Sequence, residues 1–120
     1  MNIKTLKPNQ IFVFGSNVNG EHLGGAAKQA YKDFGATWGI GEGISGHSYA
    51  FPTLDRKMKP RSILNLKESV KKLYSMCELF NHCEFLLTKV GCGIAGYKEK
   101  FMKSLFKNPP NNLILPEDWR

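Results

Sequence analysis

The sequence lacks an uninterrupted apolar segment of the roughly 18 residues that a membrane-spanning helix requires. Its first residues, MNIKTLKPNQIFVFG, also lack the positively charged segment, apolar segment and small residues that together mark a secretory signal peptide. Both absences favour a cytoplasmic protein that has no membrane partner.

Cysteine and histidine are scarce, with three of each in 120 residues. The odd number of cysteines (Cys77, Cys83 and Cys92) does not indicate a disulfide framework. No two cysteines or histidines have the C-x-x-C or H-x-x-x-H spacing of zinc ligands. The sequence therefore predicts no metal site and no cofactor.

Acidic residues are few: 10 Asp and Glu stand against 17 Lys and Arg, which gives a net charge of +7. A basic domain attracts anions such as nucleotides, free phosphate or nucleic acid. The same charge also keeps a protein soluble, so charge alone does not choose a partner. The length predicts one domain over residues 1–120.

Short apolar segments alternate with helical patterns along the chain. The expected strands are 11–15, 48–51, 84–90 and 112–115, and 37–40 could add another; the expected helices are 24–35, 63–81 and 97–107. The strand segments are continuously apolar, which suits strands buried on both faces. The alternation predicts an α/β fold with a mainly parallel sheet and helices on both faces.

Three glycine-rich segments lie near the expected strands: 15–25 (GSNVNGEHLGG), 39–46 (GIGEGISG) and 91–97 (GCGIAGY). Both 39–46 and 91–97 contain the pattern G-x-G-x-x-G, but only 91–97 lies between a strand and a helix, as a phosphate-binding turn does. A Rossmann dinucleotide site is disfavoured, because the chain continues for only one short strand and lacks the acidic residue expected about 20 positions later.

A glycine-rich turn that opens a helix leaves backbone N–H groups unpaired, and the helix dipole adds positive charge there. Segments 15–25 and 91–97 both follow strands, and the carboxyl ends of parallel strands are where α/β sheets bind ligands. The sequence therefore predicts that the two turns hold one diphosphate between them. Glycines that serve only tight turns and helix packing are the alternative.

Three motifs in this order resemble the macro-domain superfamily, and above all a compact branch that is often of bacterial or phage origin. They are GSNVNGEHLGGAA, GEGISGHSYAFPT and VGCGIAGY, and the C-terminal ILPEDWR also fits. The resemblance spans nearly the whole chain. It implies a three-layer α/β/α macro-domain-like fold that binds ADP-ribose or a related nucleotide.

The resemblance also implies which residues bind. Asn17, Gly24 and Gly25 match the loop near the distal ribose, the 91–96 segment matches the loop around the diphosphate, and Tyr97 matches an aromatic residue against the ribose. The full set of expected ligand-binding residues is Gly15, Ser16, Asn17, Gly24, Gly25, Ala26, Gly91, Cys92, Gly93, Ile94, Ala95, Gly96 and Tyr97.

The chain departs from the family in one respect. Many macro domains carry an early acidic residue that receives the adenine amino group, whereas this chain has KPNQIFVFG. Asn9 or Gln10 could take that place, and the choice of base stays open.

Some macro domains hydrolyse ADP-ribosyl bonds or remove a phosphate, so the chain could be a hydrolase or phosphatase instead of a binding protein. Asn17 and His22 are the candidate catalytic residues, since histidine transfers protons near neutral pH. A hydrogen bond that orders the loop is the other interpretation of His22. Cysteine phosphatase chemistry at Cys92 is disfavoured, because Lys98 stands where such loops have arginine.

Two further classes of function stay open. The basic segment DRKMKPRS (55–62) could bind nucleic acid, although no strand shows the alternating aromatic and basic residues of common single-strand binders. The chain could instead be a protein-interaction module without a small ligand. The sequence predicts no oligomeric state.

Overall fold

The computed structural model describes residues 3–120. Its elements, in chain order, are β1 (Gln10–Asn17), α1 (Gly25–Asp33), β2 (Gly43–Ser45), β3 (Ser48–Leu54), α2 (Ile63–Leu79), β4 (Glu84–Leu87), α3 (Glu99–Leu105), β5 (Leu113–Ile114) and a short 3-10 helix (Glu117–Trp119).

The strands form one mixed sheet in the order β2-β3-β1-β4-β5. β1 lies at the centre and pairs in parallel with β3 and β4, and β4 pairs in parallel with β5. β2 pairs antiparallel with β3 at one edge. The predicted α/β class is confirmed, and the parallel pairs bring the carboxyl ends of β1, β3 and β4 to the same edge of the sheet.

The segment 37–40 is not a strand, and the sequence-based prediction was wrong there. The added strand is β2, which forms a hairpin with β3 through Gly46 and His47. Gly46 has φ +60°, and a Cβ there would lie 2.6 Å from the carbonyl oxygen of Gly35. The glycines of 39–46 therefore allow a tight turn and a close approach of two chain segments. The composition of the segment alone does not indicate this role.

The central strand is buried on both faces, as its continuous apolar sequence predicts. Ile11 and Val13 pack in the larger core cluster, to which α2 and α3 contribute. Phe12 and Phe14 point the other way and pack with Ala30 of α1. Helices therefore cover both faces of the sheet.

The helices differ in what they bury. Tyr31 of α1 is exposed, whereas Met102 is the fully buried residue of α3. Cys77 of α2 lies in the core, and burial raises the pKa of its thiol to about 12. Over residues 3–120, no helix has the length and hydropathy that crossing a membrane would require.

Candidate functional site

A cavity of about 450 Å³ lies where β1, β3 and β4 end. This volume is within the range of about 300–1,000 Å³ that small-molecule sites usually have. Its walls come from the end of β1 and the loop after it, the start of α1, the end of β3, the loop that follows β3, and the loop after β4. The lining residues are Gly15, Ser16, Asn17, Glu21, Leu23, Gly24, Gly25, Ala26, Ala27, Thr53, Leu54, Met58, Thr88, Lys89, Val90, Gly91, Gly93, Ile94 and Ala95.

The start of α1 forms one wall and is uncapped. Gly24 is the N-cap residue, and no side chain accepts a hydrogen bond from the first turn. The first helical backbone bond is donated by Lys28 to the carbonyl oxygen of Gly24, at 3.2 Å. The N–H groups of Gly25, Ala26 and Ala27 therefore have no partner within the helix, and the helix dipole concentrates positive potential at them.

The loop after β4 forms the facing wall and folds back on itself. Tyr97 donates its backbone N–H to the carbonyl oxygen of Gly91 at 2.9 Å, and Gly96 donates to Gly93 at 3.0 Å. These bonds close the turn but leave other amides of the loop unused. Within the described residues, the backbone N–H groups of Gly91, Gly93, Ile94 and Ala95 in this loop have no backbone acceptor.

The glycines separate into structural and open positions. A Cβ on Gly41 would lie 2.5 Å from the carbonyl oxygens of Asn17 and Val18, so packing excludes a side chain there. Gly24 and Gly93 are different: a Cβ on either would meet nothing within 4 Å, and neither has a positive φ. The fold itself does not require glycine at these two positions, which both face the cavity.

Asn17 orders the loop between β1 and α1. Its Nδ2 donates to the carbonyl oxygen of Glu21 at 2.8 Å, and its Oδ1 accepts the backbone N–H of Glu21 at 3.1 Å. The amide is buried, so these two bonds fix the path of the chain over the cavity. The neighbouring Ser16 hydroxyl donates to the carbonyl oxygen of Gly41 and ties the same loop to the 39–42 segment.

His22 is placed away from the cavity. Its ring is buried between Phe14 and Trp38, with centroid distances of 5.2 Å and 6.0 Å. Nε2 lies 2.9 Å from the carbonyl oxygen of Thr37, and since a carbonyl oxygen can only accept, Nε2 carries the proton. The buried Nδ1 has no partner among the described residues. His22 thus makes a loop-ordering hydrogen bond, and the structure does not bring it to the proposed ligand.

Three more of the predicted site residues do not line the cavity: Cys92, Gly96 and Tyr97. Cys92 and Tyr97 turn towards the larger core, where Tyr97 stacks on Phe101 and donates its hydroxyl proton to the carbonyl oxygen of Arg61. Burial raises the pKa of the Cys92 thiol above its ordinary value, which disfavours a nucleophilic thiolate.

The residues that could have replaced the missing acid are also distant from the cavity. Asn9 precedes β1 and Gln10 begins it, whereas the cavity lies where β1 ends. The Gln10 side chain accepts from the Lys7 backbone N–H at 2.9 Å and donates to Glu84 at 3.1 Å. Neither residue lines the cavity, so neither is available to receive a base there.

The structure adds two charged residues that the sequence did not single out as ligand-binding, Glu21 and Lys89. Within the described part of the chain they are the only titratable side chains of the cavity lining. The Lys89 ammonium lies 2.8 Å from Asp118 and 2.9 Å from Glu99, and these carboxylates raise the pKa of Lys89 above its usual value. Lys89 lies two positions before the GCG motif, but its two partners are distant in sequence, so only the fold reveals the ion cluster.

Met58 lines the cavity from the basic loop. It has φ +62°, an unusual conformation for a residue with a side chain. Asp55 stabilises this turn by accepting the backbone N–H groups of Lys57 and Lys59 at 2.8 Å and 3.0 Å. The loop thereby presents Met58 to the cavity.

Comparison with known proteins found no match, since no family model, curated protein or solved structure is significantly similar to the chain. No His, Cys, Asp or Glu cluster in residues 3–120 could hold a metal ion. The arrangement can bind an anion through backbone amides.

Proposed function

We propose that this chain binds a nucleotide that contains a diphosphate, of the ADP-ribose class, in the cavity at the carboxyl ends of β1, β3 and β4. The diphosphate lies between the first turn of α1 and the loop that follows β4. The rest of the ligand occupies the space bounded by Leu23, Met58 and Ile94.

The observation that carries this proposal is the convergence of two sets of unpaired amides on one cavity. One set belongs to residues 25–27 and the other to Gly91 and residues 93–95. Backbone N–H groups at a helix N-terminus and in a glycine-rich turn are established anion ligands in proteins. Two such sets facing each other suit an extended anion such as a diphosphate better than a single small ion.

The open glycines support the same proposal. Gly24 and Gly93 have room for a side chain and ordinary backbone angles, so their small size is not explained by the fold. It is explained if a ligand lies against the backbone there, because a β-carbon would occupy the space of the phosphate oxygens.

The resemblance to macro domains supports ADP-ribose as the first ligand to test. Helices cover both faces of the sheet, in keeping with a three-layer macro-like fold. Hydrolysis is not part of the proposal, because His22 faces away from the cavity and Asn17 uses its amide to hold the loop. Both residues instead have positioning roles.

The test is a calorimetric panel of ADP-ribose, NAD, AMP and inorganic pyrophosphate on the wild type and on Gly93→Ala and Gly93→Val. We expect wild-type binding of ADP-ribose and a graded loss, with Gly93→Val weakened by at least about tenfold. Thermal unfolding is the control, and we expect it to change little because a Cβ at Gly93 meets no neighbour.

Two results would contradict the proposal. The first is the absence of binding for every member of the panel. The second is normal ADP-ribose binding by a folded Gly93→Val variant, since the side chain would then stand in the space assigned to the phosphate.

A second candidate function is nucleic-acid binding, and the exposed cations Arg56, Lys57 and Lys59 favour it. Arg61 is already engaged, since its Nη1 donates to Pro52 and Ser69 at 2.9 Å. Phosphate-backbone binding would weaken steeply as salt rises. A gel-shift series on RNA and DNA at 50 and 200 mM salt decides whether this binding exists. If many phosphates are contacted, the affinity falls by about 10³-fold or more between these two salt concentrations.

A further inference from the structure

The cavity has an unusual charge arrangement for an anion site, and it centres on Glu21. Glu21 belongs to the lining, and the one hydrogen bond of its carboxylate within residues 3–120 is from the Nδ2 of Asn19, at 3.5 Å. No lysine or arginine of the described chain forms an ion pair with it. An unneutralised negative charge therefore faces the space where the ligand lies.

Glu21 is also held in place. The Asn17 side-chain amide accepts the backbone N–H of Glu21 and donates to the Glu21 carbonyl oxygen. These two bonds fix the position of the Glu21 backbone beside the cavity.

The one cation of the lining does not offset this charge. The Lys89 ammonium is shared between Glu99 and Asp118, so the net charge of these three side chains is negative. The attraction for an anion within the lining thus comes from backbone amides and the α1 dipole, which are partial charges. Such a lining favours an anion of low charge, because each additional negative charge on the ligand meets Glu21 without a second cation in the lining to compensate.

From these observations we propose that Glu21 is a specificity-determining residue that makes the cavity select diphosphate diesters over ligands that end in a phosphate group. A diester such as ADP-ribose carries one negative charge on each phosphate and presents hydroxyl groups beyond it. The carboxylate accepts hydrogen bonds from such hydroxyls and repels a terminal phosphate. The inference rests on the proposed function and adds the class of ligand.

The test isolates the charge of the ligand from its shape. ADP and its β-methyl ester differ by one methyl group and one negative charge, so their affinity ratio measures the selection directly. We expect the wild type to bind the ester more tightly than ADP, and Glu21→Gln to shrink that ratio by about three- to tenfold through stronger ADP binding. Glu68→Gln, which removes the same charge from an exposed position of α2, is the matched control and leaves the ratio unchanged.

The possible outcomes separate the two proposals. If both nucleotides bind and Glu21→Gln leaves their ratio as in the wild type, the role of Glu21 is refuted while the diphosphate site stands. If Glu68→Gln shifts the ratio as much as Glu21→Gln, the effect is one of net charge, and the assignment to Glu21 is refuted as well. If neither these nucleotides nor ADP-ribose binds the wild type, the proposed function fails and this inference fails with it.

Discussion

At the scale of single residues, side-chain direction decides which polar residues of the first loop take part in the site. Asn17 ends β1, Glu21 and His22 follow within a few positions, and their chemistry alone makes each a candidate. The structure places Glu21 in the cavity lining, uses Asn17 as a brace and buries His22 among aromatic rings. The sequence could not predict this division, because the loop path depends on distant contacts such as the bond from the Gly39 N–H to the Gly20 carbonyl oxygen.

The brace formed by Asn17 gives a prediction for stability. Asn17→Ala removes two hydrogen bonds from a buried position and leaves the Glu21 backbone groups without these partners. We expect the free energy of unfolding to fall by about 1–3 kcal/mol. Urea denaturation measures it, and a variant as stable as the wild type would show that the brace does not hold the loop.

The placement of His22 gives a second prediction at this scale. His22→Phe keeps an aromatic ring among Phe14, Tyr31 and Trp38 but loses the hydrogen bond to Thr37. We expect a loss of about 0.5–1.5 kcal/mol in stability with ADP-ribose affinity nearly unchanged. Loss of affinity in a variant of normal stability would instead place His22 in the ligand site.

At the scale of elements, the alternation of strands and helices was predictable and the hairpin was not. Continuous apolar segments and helical stripes identify β1, β3, β4, α1 and α2, because burial on both faces of a sheet leaves no polar alternation. β2 has three residues and includes a glycine at φ +110°, so it carries no strand signal. It exists because β3 offers it an edge to pair with.

Lys89 joins the loop after β4 to α3 and to the 3-10 helix through ion pairs with Glu99 and Asp118. The contribution of these ion pairs to stability depends on pH. The hydrogen bond from Lys89 lowers the pKa of Glu99 and that of Asp118 below their ordinary values. Because these pKa values are lower in the folded state, the stabilisation is fully present above the unfolded values. It is lost as the pH falls through the lowered ones.

The corresponding prediction uses Asp118→Asn. We expect this variant to have a lower urea midpoint than the wild type at pH 7, by a small margin because the pair is exposed, and this difference to shrink as the pH falls towards 3. Glu68→Gln, whose side chain forms no ion pair among the described residues, serves as the control. A difference that persists unchanged at pH 3 would rule out the ion cluster as its cause.

At the scale of the whole molecule, the topology creates the site. The two glycine-rich turns are more than sixty residues apart in sequence, and they meet because β1 and β4 are parallel neighbours at the centre of the sheet. The sequence could predict this convergence from the rule that parallel strands end at one edge. It could not reveal the open space at Gly24 and Gly93, the neutralised Lys89 or the lack of an ion pair at Glu21, since these depend on three-dimensional contacts.

The central claim is that amides from both turns bind the same diphosphate, and amide-resolved NMR tests it most directly. ADP-ribose is titrated into ¹⁵N-labelled protein while the backbone amide resonances are followed. We predict that the amides of residues 25–27 and of 93–95 shift together, with one shared midpoint, as both sets donate hydrogen bonds to the ligand. Shifts confined to one turn, or two separate midpoints, would contradict the account.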